Sequence, residues 1–257
     1  MQKIVIAADS FKGCLTSKQV AESVERGIRN VFPYCEIAKV FIADGGEGTV
    51  DALVETLKGE LVTVKVHNPL MRPVDAYYGI IEGGKTAIIE MALASGLPLI
   101  APEERNPMKT TTFGTGELIK DALMKGCRRF LVGIGGSATN DAGTGMLQAL
   151  GYRFFDTGGY ELGGGGEILS QIEKIDDSNI IEGIKESEFF VACDVTNPFS
   201  GKSGASFVFA PQKGADPEMV RLLDKGLIHF AGVIKNFNGK DILLSSPMRH
   251  PKRVQPM

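Results

Sequence analysis

The first sixty residues alternate between short apolar runs and amphipathic stretches. Residues 3–8 form a β-branched run that predicts a buried strand. Residues 18–30 repeat apolar side chains every four positions and predict a helix, which the hydroxyl side chains just before it can cap. Residues 36–43 predict a second strand and residues 50–57 a second helix. This order is typical of a parallel sheet with helices on its faces.

The pattern changes after residue 60, and we expect a domain boundary near residue 65. Two alternating segments joined by proline turns predict antiparallel strands. The remaining predicted strands are 86–91, 128–132, 189–193 and 207–209, and the remaining predicted helices are 116–125, 145–150 and 218–235. The run of four glycines at 163–166 predicts a flexible turn.

Composition excludes several classes of protein. The net charge of −3 over 257 residues gives no general attraction to nucleic acid or to an anionic membrane. The four cysteines show no pairing pattern, which indicates reduced thiols in the cytoplasm. The apolar region 86–101 is interrupted by Glu90 and Pro98, so no membrane span is expected, and the N-terminus does not fit a signal peptide.

Four polar loops follow predicted strands, and each carries an aspartate. Asp9, Asp44, Asp141 and Asp194 lie in the loops AADSFKG, IADGGEGT, GGSATNDAG and ACDVTNP. Ligands of open parallel sheets bind at the carboxyl ends of strands, so we expect the loops to share one site. Asp44 and Glu47 flank two glycines, a spacing that allows both carboxylates to turn inward towards Mg²⁺, although a turn acid beside a helix N-terminal acid explains them too.

Lys12 and Lys213 also stand in glycine loops, where a cation could reach phosphate oxygens. The alternative for each is an ordinary solvated lysine. Carboxylates for magnesium, cations or amides for phosphate, and a group that orients the attacking hydroxyl are the requirements of phosphoryl transfer.

The loop GIGGSA offers a second interpretation. Gly133–Gly135 and Ala138 fit the spacing of a dinucleotide-binding turn, and Asp156 follows at a suitable distance for a ribose contact. The segment SGKSG does not complete a P-loop, because Thr196 stands where the first glycine is needed.

Several long blocks of the sequence resemble the signature segments of the bacterial type 1 glycerate kinases. They occur in order over residues 3–242 and include DSFKGCLTSKQVAESVERGI, ADGGEGTVDAL, IEMALASGL, RNPMKTTTFGTGELI, GIGGSATNDAGTGMLQALG, ACDVTNPFSG and GASFVFAPQKGA. The resemblance implies ATP- and Mg²⁺-dependent phosphorylation of D-glycerate to 2-phosphoglycerate or 3-phosphoglycerate. It also implies an α/β fold of two domains, with a Rossmann- or flavodoxin-like parallel sheet over 1–65, incomplete here, and an inserted mixed-sheet domain over 66–240.

The resemblance also suggests roles for individual residues. Asp44, Asp194 and Asp141 are the catalytic candidates, and Asp44 and Asp194 are the candidate metal ligands. The candidate contacts to substrate or nucleotide are Asp9, Ser10, Lys12, Gly45, Gly46, Glu47, Gly135, Gly136, Ser137, Thr139, Asn140, Asn197 and Lys213. The expected partners are D-glycerate and ATP, with neither nucleic acid nor membrane, and a homodimer is left open.

Residues 241–257 depart from the family pattern, and we expect them to be a divergent tail of a C-terminally truncated chain. Three hypotheses follow: an active glycerate kinase, an NAD(P)-dependent oxidoreductase that uses the GIGGSA turn, and a non-catalytic fragment of a kinase.

Overall fold

The computed structural model describes residues 3–11, 14–42, 45–193, 195–243 and 253–254. The described strands are β1 (Lys3–Ala8), β2 (Glu36–Phe41), β3 (Glu60–His67), β4 (Pro73–Ile81), β5 (Thr86–Glu90), β6 (Arg129–Gly133), β7 (Arg153–Phe155), β8 (Lys174–Asp176), β9 (Glu188–Ala192) and β10 (Arg253–Val254). The described α-helices are α1 (Ser17–Val31), α2 (Thr49–Leu57), α3 (Ala92–Ser95), α4 (Phe113–Met124), α5 (Thr144–Ala149), α6 (Ala205–Phe209) and α7 (Pro217–Asn238). Short 3₁₀ helices cover Glu82–Gly84, Leu97–Leu99, Pro102–Glu104, Gly166–Ser170 and Pro211–Lys213.

A six-stranded mixed sheet forms the centre of the molecule, with strand order β10-β9-β6-β5-β4-β3. Its middle strands β5, β6 and β9 are parallel, whereas β3, β4 and β10 are antiparallel to their neighbours. The antiparallel pair predicted after residue 60 is therefore confirmed. Strand β3 begins at Glu60 and therefore crosses position 65, where the sequence predicts a domain boundary. That boundary stays a prediction.

Helices cover both faces of this sheet. Side chains that alternate along β5 point to opposite faces, and each face packs against a different helix. Ile89 packs in the main core with Leu118 and Ile119 of α4. Ile88 packs on the other face, against Val50 and Val54 of α2. A second core joins α7 to the small β7–β8 hairpin, where the rings of Phe154 and Phe230 meet edge to face at 5.9 Å. The α/β fold class with one parallel and one mixed sheet is confirmed.

The parallel pair β1–β2 and helix α1 form a separate layer. Thr16 caps α1 through a capping box with Gln19, as its position before the helix predicts. The expectation that residues 3–8 form a buried strand is wrong: the strand exists, but only Ile6 is buried, and Val5 is 58% exposed. Among the described residues this sheet has two strands, and Val5 of β1 and Val40 of β2 both remain exposed.

Three further expectations need correction. Residues 207–209 lie in α6 and form no strand, since Ala205–Phe209 makes a helical turn packed beside α7. Helix α4 begins at Phe113, three residues before the predicted start at residue 116. The glycine run is not a free turn, because a Cβ atom on Gly165 would lie 2.4 Å from the carbonyl oxygen of Met108.

In the part of the chain that the structure describes, no helix combines the length and apolarity needed to cross a membrane.

Candidate active site

The parallel strands β5, β6 and β9 end in register at one edge of the mixed sheet. Glu90, the last residue of β5, pairs with Gly133 of β6, which in turn pairs with Ala192 of β9. The segments that follow these strands therefore leave the sheet side by side. Carboxyl ends of parallel strands are the usual ligand edge of an α/β sheet.

The glycine loop after β2 packs directly on this edge. The backbone N–H of Gly135 donates to the carbonyl oxygen of Gly45 at 3.2 Å. A Cβ atom on Gly133 would lie 2.4 Å from the same oxygen, and one on Gly45 would lie 2.7 Å from the carbonyl oxygen of Ala192. Gly45 has a φ of +88°, a backbone conformation that favours glycine. Three of the four predicted loops therefore meet through main-chain contacts that exclude side chains.

Three of the predicted site residues, Lys12, Asp44 and Asp194, lie outside the described residues. Their roles stay predictions. Asp44 directly precedes Gly45, and Asp194 follows Ala192 by two positions. The contact between Gly45 and Ala192 thus brings the two chain segments that carry these aspartates to one place. Among the described residues, no group of three or more His, Cys, Asp and Glu side chains could hold a metal ion.

Lys213 is buried against the loop after β6. Its ammonium Nζ donates to the Ser137 hydroxyl at 2.8 Å and to the Thr139 carbonyl oxygen at 2.6 Å, and the residue is 8% exposed. Burial lowers the pKa of the Lys213 ammonium to about 8, and the nearby Asp141 carboxylate opposes that shift. Lys213 is therefore not the solvated lysine of the alternative interpretation. It fixes the position of the loop 137–139 at the edge of the sheet.

Asp141 is enclosed by donors from two loops. Its Oδ2 atom accepts from the backbone N–H and the hydroxyl of Thr112, both at 2.8 Å, and from the N–H of Gly145 at 3.3 Å. Its Oδ1 atom accepts from the N–H of Gly143 at 3.1 Å, and the residue is 1% exposed. These bonds give Asp141 a structural role that accounts for its burial. Its predicted catalytic role stays untested, and a carboxylate held in this way is poorly placed to reach a substrate.

The remaining polar residues near this edge are also engaged. Asn140 is buried, and its Oδ1 atom accepts from the Ser206 hydroxyl at 3.4 Å. Asn197 donates from Nδ2 to the Ser203 carbonyl oxygen at 2.8 Å, within its own loop. The carbonyl oxygen of Gly136 accepts from the N–H of Leu97 at 3.0 Å. The structure therefore places Asn140 and Gly136 with the loop after β6, while the contact seen for Asn197 is local.

A cleft of about 710 Å³ opens between the loop before α1 and the start of α2. Ser10 and Glu47, both predicted site residues, line this cleft. Asp9 is exposed and accepts from the N–H of Ser10 at 2.6 Å. The Ser10 hydroxyl oxygen is buried without a hydrogen-bond partner among the described residues, an arrangement that a bound polar ligand would complete.

Glu90 contributes to the wall of this cleft, although the sequence pattern predicted nothing for it beyond the interruption of an apolar run. The side chain is 1% exposed and accepts from the N–H of Gly48 at 3.1 Å. Burial raises the pKa of the Glu90 carboxyl to about 7, against the backbone amides of Val50, Gly48 and Thr49, which favour the charged form. Strand periodicity alone does not predict that the carboxylate at the end of this parallel strand is buried.

Sequence reasoning also missed the threonines before α4. Thr110, whose hydroxyl donates to the Ala138 carbonyl oxygen at 2.8 Å, and Thr112, which binds Asp141, connect this segment to the loop after β6. Arg105 lies beside Gly214, the neighbour of Lys213, and its buried Nε atom has no hydrogen-bond partner among the described residues. The threonine run directly before a helix was the available sequence signal.

The structure does not support the dinucleotide interpretation. That motif requires a helix to begin directly after the glycine turn, whereas α5 begins only at Thr144. Asp156, the predicted ribose contact, lies in the β7–β8 hairpin. Its Oδ1 atom accepts from the N–H groups of Gly158 and Tyr160, both at 2.9 Å, so it closes its own turn.

Comparisons with known proteins agree on one family. Residues 4–247 match the model of the glycerate kinase family. A glycerate kinase of Haemophilus influenzae is 51% identical over 93% of this chain and 64% of its own length. A glycerate 2-kinase of Escherichia coli is 49% identical over 91% of this chain and 61% of its own length. The crystal structure of a putative glycerate kinase 2 from Salmonella typhimurium LT2 superposes with a TM-score of 0.87 at 47% identity, over 96% of this chain and 66% of that one.

Proposed function

The chain belongs to the glycerate kinase family, and from this premise we propose that it transfers a phosphoryl group from ATP to a hydroxyl of D-glycerate. We propose 2-phosphoglycerate as the product, with 3-phosphoglycerate as the alternative, because one relative is named a glycerate 2-kinase. The chain spans less than two thirds of the length of the curated relatives described above, so activity of this chain is part of the proposal.

The observation that supports this function is the meeting of the three loops after β2, β6 and β9 through Gly45, Gly133, Gly135 and Ala192. Phosphoryl transfer requires positioning and charge stabilisation more than covalent chemistry by the protein. Main-chain contacts of this kind hold the loops at a fixed separation. The aspartates predicted to take part belong to two of these loops.

Magnesium would be held by Asp44 and Asp194, since oxygen ligands from one or two carboxylates suffice for this ion in phosphate sites. When bound, Mg²⁺ supplies charge neutralisation on the phosphate oxygens. The proposal is supported by the contact between Gly45 and Ala192, which lie in the two loops to which these positions belong. We propose that one of these aspartates accepts the proton of the attacking hydroxyl, and that Lys12 contacts phosphate.

The loop held by Lys213 would bind an anionic reactant. The Ser137 hydroxyl accepts a hydrogen bond from the Lys213 ammonium group. This buried cation places positive charge beside the loop, which would attract an anion. Ser10 and Glu47 would contact the reactant that enters the cleft.

The four cysteines of the chain are unpaired, which fits the reducing cytoplasm that the sequence predicts.

An assay of ADP release with D-glycerate, ATP and Mg²⁺ tests this function. Phosphorus NMR of the product distinguishes the 2-phosphate from the 3-phosphate. We expect turnover by the chain, a strong loss in Ser137→Ala, and little change in Ser178→Ala, which removes an exposed hydroxyl that binds Asp176 at the end of β8. Calorimetric titration with each reactant separates the alternatives: binding without turnover favours a non-catalytic fragment, and the absence of both contradicts the proposal.

A further inference from the structure

Helix α2 begins without a capping side chain of its own. Its N-cap residue is Gly48, whose φ is +87° and which provides no side-chain hydrogen bond. The first N–H groups of a helix need external acceptors, and a carboxylate satisfies them well. Glu90 supplies that acceptor from β5, 42 positions along the chain, by accepting from the N–H of Gly48 at 3.1 Å.

The same start of α2 is continuous with the glycine loop of the candidate site. The Thr49 hydroxyl donates to the Gly46 carbonyl oxygen at 2.7 Å, and its N–H donates to the same oxygen at 3.3 Å. Gly45, the preceding residue, accepts from the N–H of Gly135. Three hydrogen bonds, joined by the backbone of residues 45–49, therefore connect Glu90 to the loop after β6.

Glu90 is also fixed at its own backbone. It ends β5 in register with Gly133, so its position relative to the site edge is set by the central sheet. The acidic groups around it are Asp51 and Glu47 of the α2 region, and Tyr77 of β4 donates its hydroxyl to Asp51 at 2.8 Å. A carboxylate with acidic neighbours and almost no exposure is unfavourable unless the helix amides hold it in place.

We propose that Glu90 is a positioning residue of the phosphoryl-transfer site, which holds the Gly45–Gly48 turn against the loop after β6 by binding the start of α2. This inference rests on the proposed function. Glu90 lines the cleft but is only 1% exposed, so we assign its effect to the turn that it holds. Loss of its carboxylate would therefore displace the Gly45–Gly48 turn, which contains the predicted contacts Gly45, Gly46 and Glu47.

Three variants test the proposal in the full chain: Glu90→Gln, Glu90→Ala and the matched control Asp156→Asn. Asp156 also holds a glycine turn through backbone amides, but in the β7–β8 hairpin. Amide hydrogen exchange requires no activity, so it is the first measurement. We expect faster exchange at Gly48, Thr49 and Gly135 in Glu90→Ala, a smaller increase in Glu90→Gln, and none at these sites in Asp156→Asn.

Kinetics with D-glycerate and ATP supply the second measurement. We expect kcat to fall at least tenfold in Glu90→Ala and to recover in part in Glu90→Gln, which keeps an acceptor oxygen, while Asp156→Asn stays within twofold of the unmodified chain. Unchanged exchange at Gly48 and Gly135 in Glu90→Ala overturns the proposal. So does abolished turnover in Glu90→Gln with undisturbed exchange, which would make Glu90 a catalytic residue. Absence of turnover in the unmodified chain contradicts the proposed function, and the exchange result then still decides the positioning role.

Discussion

The carboxylate of Asp141 accepts both hydrogen bonds that Thr112 can donate, from its backbone N–H and from its hydroxyl, each at 2.8 Å. This pair joins the segment before α4 to the loop after β6, and further donors from Gly143 and Gly145 complete the shell around the carboxylate. The loop that carries Ser137 is thereby attached to the helical layer behind the sheet.

We expect Asp141→Asn to lower the free energy of unfolding by about 2–4 kcal/mol, because an amide offers one acceptor atom and turns a donor towards buried N–H groups. Urea unfolding provides the measurement. Asp156→Asn, in an exposed turn, should cost less than about 1 kcal/mol. Equal losses in the two variants would mean that the shell around Asp141 contributes little to stability.

Gly133 should not tolerate a side chain. A Cβ atom there would lie 2.4 Å from the Gly45 carbonyl oxygen, so Gly133→Ala must separate the two loops. We expect a loss of about 1–3 kcal/mol of stability together with a fall in kcat/KM.

The control for this substitution is Gly232→Ala in α7, where an added Cβ meets no atom within 4 Å. Alanine is the better helix former, so this variant should gain about 0.5–1 kcal/mol in thermal or urea unfolding. A Gly133→Ala chain as stable and as active as the unmodified one would show that the loops can move apart freely.

The pH dependence of stability should carry the signature of Glu90. Its carboxyl pKa is raised from 4.5 to about 7, chiefly by burial. A raised carboxyl pKa stabilises the folded state at low pH, and this contribution is lost as the pH rises from the unfolded towards the folded value. Between pH 4.5 and 8 the chain should therefore lose up to roughly 3 kcal/mol relative to Glu90→Gln. Urea unfolding of both proteins at several pH values measures the difference, and parallel curves would contradict it.

Lys213 should show the opposite dependence. Burial lowers its pKa from 10.5 to about 8, so the folded state disfavours the charged form, and stability should rise as the pH increases from 8 to 10.5. Lys213→Met should lack that rise and should bind the anionic reactant at least tenfold more weakly at pH 7. Lys202→Met, which removes an exposed lysine from the SGKSG turn, is the control and should match the unmodified chain in both measurements.

Much of the fold was predictable from local pattern. The strands that end at the site were placed within two residues of their observed ends, because each is a short apolar run followed by glycine and acidic residues. The grouping of polar loops at one edge follows from the geometry of parallel strands, and the contacts of Gly45 confirm it for three of the four loops. The chemical roles of Asp44, Asp194 and Lys12 stay predictions.

What could not be predicted depends on contacts between distant segments. Glu90 looked like an interruption of an apolar strand, since its helix-capping role involves a partner 42 positions away. Lys213 looked like a loop lysine, since only the fold shows that the loop 137–139 covers it. Residues 207–209 favour a strand by composition, but packing beside α7 selects a helix.

The separation of the loops at the site is set by atoms that every amino acid shares. The N–H of Gly135 donates to the carbonyl oxygen of Gly45, and Gly133 approaches the same oxygen too closely for a side chain to fit between them. Exchanges at Ser137 and Glu47, the proposed reactant contacts, should therefore change reactant binding without changing the main-chain contacts between the loops. The three glycines, by contrast, should tolerate no side chain that separates the loops.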